Sequence, residues 1–227
     1  PIAISVNSAF AYYESVGQNW ERAALIKARP VAGDLPVGER FLADLAPFIW
    51  RKYFDFAAIA DVQSMKRQIH AVKGHGEVKV RGHNLKLGRG GIREIEFFVQ
   101  TQQLIAGGRN PKLRGRSTIA MLEALAEAQW ITREAAAELT SAYRFLRTIE
   151  HRVQMVNDEQ THTLPSEDPA FESMARFCGF ADGASFDVEV RRVLECVQGH
   201  YSRLFESADE LGTAGGRLVF TGGEDDP

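Results

Sequence analysis

Two cationic segments have the residue types needed to hold a phosphate-like anion. In the first, a helix predicted over residues 18–29 places Arg22 and Arg29 about 20° apart around its axis, flanking Ile26, because each residue advances ~100°. Lys27 falls on another side, beside Trp20 and Ala24. A buried cation there needs a carboxylate or a ligand phosphate as partner. Solvated arginines, with Lys27 lying along Trp20, are the alternative that spacing leaves open. The second segment, Lys86-Leu87-Gly88-Arg89-Gly90-Gly91, leads into a predicted helix. Gly88, Gly90 and Gly91 let backbone approach an anion, the first helical N–H groups point outward, and Lys86 and Arg89 add charge. The spacing matches neither the P-loop nor G-x-G-x-x-G, and a plain strand-to-helix connection accounts for the glycines equally well.

Glu94 and Glu96 follow at once and are carried as catalytic candidates. Residues two apart on a helix diverge by ~200°, so the pair does not jointly hold two metal ions. Glu96 shares a stripe with Arg93, Gln100 and Gln103, whereas Glu94 lines up with Phe97, Thr101 and Leu104. Attraction of carboxylates to a helix N-terminus is a sufficient structural account of both. His70, His75 and His83 match no zinc spacing, His151 and His162 read as helix-surface and turn residues, and no metal site is expected. Nucleotidyl transfer uses carboxylates that clamp ions about 3.5–4 Å apart, often an Asp-x-Asp pair. The sequence contains no Asp-x-Asp.

The elements that must position these groups are mainly helical. Asn7 or Ser8 can cap a first helix, Gly17 interrupts it, and further helices are predicted over 18–29, 39–47 and 56–72. Residues 77–80 and 84–87 alternate enough for two short strands or a β-ribbon. A helix over 92–106 ends at Gly107-Gly108, and another covers 118–128. Thr132 caps a helix reaching Asn157 whose stripe Ala135, Leu139, Ala142, Leu146, Ile149, Val153, Val156 alternates spacings of four and three, a bundle seam. A helix from Ser166 stops at Gly179. Ser185 caps a second seam carrying Phe186, Val190, Val193, Val197, Tyr201, Leu204 and Ala208. The glycine-rich stretch after Leu211 reads as a linker or frayed tail. The resulting division is 1–113, a region with helices and the glycine-rich loop; 114–209, a helical bundle; and 210–227, the tail.

Bulk properties narrow the classes. The 227 residues are 44% hydrophobic, ample for a core, and the net charge of -3 argues against a broad grip on nucleic acid. Cys178 and Cys196 are too few for a disulfide framework or paired zinc motif, which suits a reducing cytoplasm. No apolar run approaches the ~20 residues of a membrane span. The start at Pro1 reads as a trimmed one.

Three motifs taken together resemble the glutamine synthetase adenylyltransferase family: Tyr12-Tyr13-Glu14 with Trp20-Glu21-Arg22, Ile26-Lys27-Ala28-Arg29-Pro30-Val31-Ala32-Gly33-Asp34, and residues 86–97 from Lys86 to Phe97. The likeness continues through Gln103-Leu104-Ile105, Arg116-Ser117, Tyr143-Arg144-Phe145-Leu146-Arg147 and Asp158 to Pro165. It implies a helical bundle following a nucleotidyltransferase core, in a bifunctional regulator that attaches AMP to, and removes it from, a tyrosine of glutamine synthetase. The run Gly-Gly-Ile-Arg-Glu-Ile-Glu-Phe is more similar to the adenylyl-removing half, which implies phosphorolysis to ADP with Mg²⁺. Also implied are ATP, ADP and phosphate as ligands, and glutamine synthetase and a P-II type nitrogen-signalling protein as partners. Arg22, Lys27, Arg29, Lys86, Gly88, Arg89, Gly90, Gly91 and Arg93 are then the candidates for phosphate or adenylyl contact. The metal-binding carboxylates are expected upstream of Pro1, leaving this piece inactive alone. A helical module that binds glutamine synthetase or a signalling protein without touching nucleotide is the competing expectation.

Overall fold

Where a capping side chain and an apolar stripe coincide, helices form as the sequence predicts. The computed structural model describes residues 3–51 and 78–213, with side chains as far as Arg203. Four helices open the chain: α1 (Val6–Ser15), α2 (Asn19–Leu25), α3 (Leu35–Asp44) and α4 (Ala46–Ile49). Then come α5 (Ile92–Ala106), a 3-10 turn (Pro111–Leu113), α6 (Thr118–Glu127), α7 (Arg133–Asn157), α8 (Asp168–Phe177) and α9 (Gly183–Thr213). Thr132 caps α7 by accepting from the Ala135 amide, and Ser117 caps α6 through the Ala120 amide. No helix among the described residues is long and apolar enough to cross a membrane.

Several local expectations are corrected. Ser5 caps α1, accepting from the Ser8 amide, and Asp182 caps α9 by accepting from Ser185. The predicted 18–29 helix stops at Leu25. The Lys27 and Ala28 amides donate three residues back, to Ala24 and Leu25, and Pro30 disfavours helical geometry at Arg29. The predicted 39–47 helix is two pieces, α3 and α4, that meet at Leu45, whose amide donates to Phe41 and whose carbonyl accepts from Phe48 and Ile49. No strand occurs among the described residues. Asn84 instead forms a single bridge with Thr163, and residues 85–87 turn. The predicted helix over 56–72, His70, His75 and the chain from 214 onward lie outside the described residues.

The two seams meet in one apolar core. Leu139, Leu146 and Ile149 of α7 and Phe186, Val190, Leu194 and Val197 of α9 are buried with Ile92, Ile95 and Phe98 of α5. Val156, counted in the predicted stripe, lies in the last turn of α7 and is 57% exposed. A smaller core of Ala23, Ile26, Leu45 and Ile49 packs on Leu104, so α5 serves both cores.

Two glycines set how closely α5 packs. Gly90 has φ +72°, and a Cβ there would overlap the Leu194 carbonyl oxygen of α9. Gly107, at the other end, has ordinary helical φ of -66°, and its role is steric, since a Cβ would sit 2.8 Å from the Trp50 ring. Gly90→Ala is therefore expected to cost about 2 kcal/mol or more, through backbone strain and overpacking together. Denaturant unfolding of the purified variant checks this, and an unshifted midpoint would contradict the packing described.

Candidate functional site

The cations of the first segment separate in space because α2 is short. Arg22 is 1% exposed, and its Nε and Nη2 donate to the Ile49 carbonyl at 3.2 and 3.0 Å, at the exit of α4. Trp20, by contrast, is 59% exposed. The buried face of α2 is thus the arginine face, and a backbone carbonyl accepts two of the guanidinium's hydrogen bonds there. Arg29, beyond the end of the helix, is exposed.

Lys27 enters a network that joins α5, α6 and α7. Its ammonium donates to the Arg116 carbonyl and, at 2.9 Å, to the Thr118 hydroxyl at the start of α6. The Tyr143 hydroxyl of α7, whose pKa Thr118 also influences, donates to Glu96 of α5 at 3.2 Å. Arg93, one turn earlier on α5, lies 3.7 Å from the same carboxylate. Burial lowers the Lys27 pKa, and the negative charge of Glu96 opposes that shift. Tyr143 is pushed up, first by burial and then by Glu96, against the positive charge of Arg147. Arg93 thus lies at ion-pair distance from Glu96, while Lys27, from the other cationic segment, is bonded to Arg116 and Thr118 and feels the same carboxylate only through space.

The glycine turn is filled from within. Asn84 Oδ1 accepts the amides of Lys86 and Leu87, and the Asn84 carbonyl accepts Gly88. Gly91, Ile92 and Arg93 donate to the carbonyls of Gly88, Leu85 and Lys86. The Gly90 amide donates to Glu94 Oε2 at 2.8 Å, so a buried carboxylate of the protein already occupies the place of an anion at the start of α5. Arg89 points elsewhere, lining a cleft with Val78, Arg191, Glu195 and Gln198. Half-buried Lys86 stays beside Arg93 through their backbone bond.

Glu94 and Glu96 face different neighbours, as their angular separation requires. Glu94 is buried near Tyr201 of α9, whose phenol is raised by burial and by that carboxylate, while Glu96 belongs to the Lys27 network. The two carboxylates do not fit a shared magnesium pair. Gln103, on the Glu96 stripe, is fully buried and donates to the carbonyls of Leu113 and Gly115. Thr118, Tyr143 and the Arg116 carbonyl were not singled out by sequence reasoning, although Arg116 and Tyr143 fall inside the motifs quoted above. His162 is more than a turn residue. It pairs at 2.9 Å with Glu150, which is 2% exposed and also holds Arg147 at 2.7 Å. The His162 carbonyl accepts the Leu85 amide, which braces the glycine turn.

Comparison with known proteins places this geometry. Residues 63–205 match the family model described as GlnD PII-uridylyltransferase, and residues 1–44 match the one described as glutamate-ammonia ligase adenylyltransferase. The whole chain is 63% identical to proteins of Rhizobium meliloti and Mesorhizobium japonicum, and 61% identical to one of Brucella melitensis, each named bifunctional glutamine synthetase adenylyltransferase/adenylyl-removing enzyme. It spans 23% of the length of each of these relatives.

The network has a charge signature. In the window just below 10.5, a depressed Lys27 pKa means that the folded protein binds fewer protons than the unfolded chain, so this group raises stability with increasing pH there. The raised Tyr143 pKa acts oppositely above 10.0. In Glu96→Gln, the Lys27 pKa is expected to fall further while that of Tyr143 also falls, because both lose the same negative charge. Carbon-13 NMR titration of the Lys27 ε-carbon and the Tyr143 ζ-carbon reads both. Unmoved titrations would show that Glu96 is not their partner.

Proposed function

The chain belongs to the glutamine synthetase adenylyltransferase family, and on that premise we propose that it is the helical part of an enzyme that attaches AMP to, and removes it from, glutamine synthetase. Over residues 63–205 it also belongs to the family of the GlnD PII-uridylyltransferase model. In this reading the piece walls a nucleotide or phosphate pocket whose catalytic strands lie in other parts of the protein. One observation carries it: Arg93 lies at ion-pair distance from Glu96, Tyr143 of α7 donates to that carboxylate, and Lys27, bonded to the start of α6, feels its charge, so groups from distant parts of the chain gather at one place.

The roles then divide by exposure. Arg22 and Lys27 hold the wall together through protein carbonyl and hydroxyl acceptors. Arg93, its side chain 48% exposed, is the group placed to reach a phosphate, with Lys86 beside it and Arg29 on the exposed stretch after α2. Arginine suits that task because its planar donors pair with phosphate oxygens. Gly88, Gly90 and Gly91 serve by fixing where Arg93 begins its helix.

In the removing reaction, a phosphate oxygen attacks the phosphorus of the adenylyl-tyrosine and the tyrosine oxygen leaves, giving ADP and the free phenol. Magnesium would be held by carboxylates outside the described residues, among which no cluster of acidic groups suits it. Glutamine synthetase, ATP, ADP, phosphate and a P-II type signalling protein are the partners this reading requires, in the cytoplasm. A purely interacting module is the second reading, and the internal filling of the glycine turn favours it.

Arg93→Ala in the full-length enzyme separates the two. Loss of a charge-assisted contact to phosphate, about 1.5–3 kcal/mol, is expected to weaken phosphate in the removing assay by ~10-fold or more, with the melting temperature held. Unchanged phosphate dependence, together with weakened binding of glutamine synthetase, would replace the pocket reading with the interaction module.

A further inference from the structure

Away from the Lys27 network, α7 and α9 bring three chemically different donor atoms together. Cys196 and His200 are four residues apart on α9, so they share a face. That face meets Glu138 of α7. His200 Nε2 lies 2.5 Å from Glu138 Oε2, Cys196 Sγ lies 3.9 Å from the same oxygen, and all three donor atoms fall within 4.8 Å of one another. His200 is 8% exposed and Cys196 half-buried, so the helix backbone sets their positions, whereas the Glu138 side chain is 44% exposed and can rotate.

We propose that Glu138, Cys196 and His200 form a binding site for one divalent cation of the zinc class, with a fourth position open to solvent. Bond lengths of about 2.0–2.3 Å in a tetrahedron place donors roughly 3.3–3.6 Å apart. The separations of 2.5 and 3.9 Å bracket that range. A small rotation of the Glu138 carboxylate lengthens the contact to nitrogen and shortens the contact to sulfur, which moves both toward it. A sulfur, nitrogen and oxygen set selects zinc or cobalt over magnesium, which demands oxygen donors in an octahedron. The site is therefore distinct from any magnesium of nucleotidyl transfer and does not depend on that reading.

The surrounding charges are compatible. Arg192 is held by Glu189 through bonds of 2.8 and 2.6 Å. Arg203 lies 3.4 Å from His200 Nδ1 and also bonds the Gly199 carbonyl. Ligation through Nε2 puts the imidazole proton on Nδ1, so Arg203, which is exposed, turns aside. Burial, and after it the charge of Glu138, holds the Cys196 thiol above its usual range. The cation displaces that proton, and uptake strengthens as pH rises. Bound metal would clip α7 to α9 two residues from Leu194, against which Gly90 packs.

Cobalt(II) titration of the reduced 227-residue chain tests the site, with zinc as competitor. The expected result is one equivalent of cobalt, a thiolate-to-cobalt charge-transfer band, visible absorption of tetrahedral strength, displacement by zinc, and no rise in melting temperature with magnesium. Cys196→Ser should abolish the sulfur band and Cys178→Ser should leave it. Loss of even an outer partner of a metal site costs about 10- to 100-fold in affinity, so the ligand variant Glu138→Gln, at an exposed position, should weaken cobalt by ~10-fold or more with its circular dichroism unchanged. A cobalt signal without a sulfur band, a band that survives Cys196→Ser, or unchanged affinity in Glu138→Gln would overturn the proposal.

Discussion

The approach of the Gly90 backbone to the Leu194 carbonyl is the contact on which the arrangement of α5 depends. Only a residue without Cβ can stand there in the left-handed region, and its amide then reaches the Glu94 carboxylate. That bond starts α5 in a fixed rotation. One stripe, carrying Glu94 and Phe97, faces α9, and the other, carrying Arg93, Glu96 and Gln103, faces the start of α6 and the side of α7. Both cores and the charged network inherit their geometry from this rotation.

Charge inside the protein is handled by compensation. The Arg22 guanidinium lies against a helix-end carbonyl, where backbone dipoles favour a cation. Lys27 is poorer in solvent than a surface lysine, and two oxygen acceptors and the Glu96 charge keep it in place. Glu150 is deeper still and is matched by Arg147 and His162. Such paired groups contribute little net stability relative to apolar substitutes, but each is costly to break, which restricts the helices to one register.

That rigidity holds the charged groups in fixed positions. The carboxylates here are engaged by amides, phenols and cations, and none of the described groups converges as a magnesium site would require. The donors that do converge, on α7 and α9, are of another chemical kind and join the two longest helices.

Much of the helical architecture was legible from residue type alone. Thr132 announced its helix, and Ile92–Ala106 was bounded by glycines on both sides, because capping and apolar periodicity are local and act over three or four residues. The two seams were legible for the same reason. Burial of Arg22 rather than Trp20, the meeting of Lys27 with Glu96, and the tight seat of Gly90 on Leu194 were decided only by tertiary structure. Each depends on which surface of a distant helix arrives to accept a hydrogen bond or exclude a methyl group, and no pattern within a single helix encodes that.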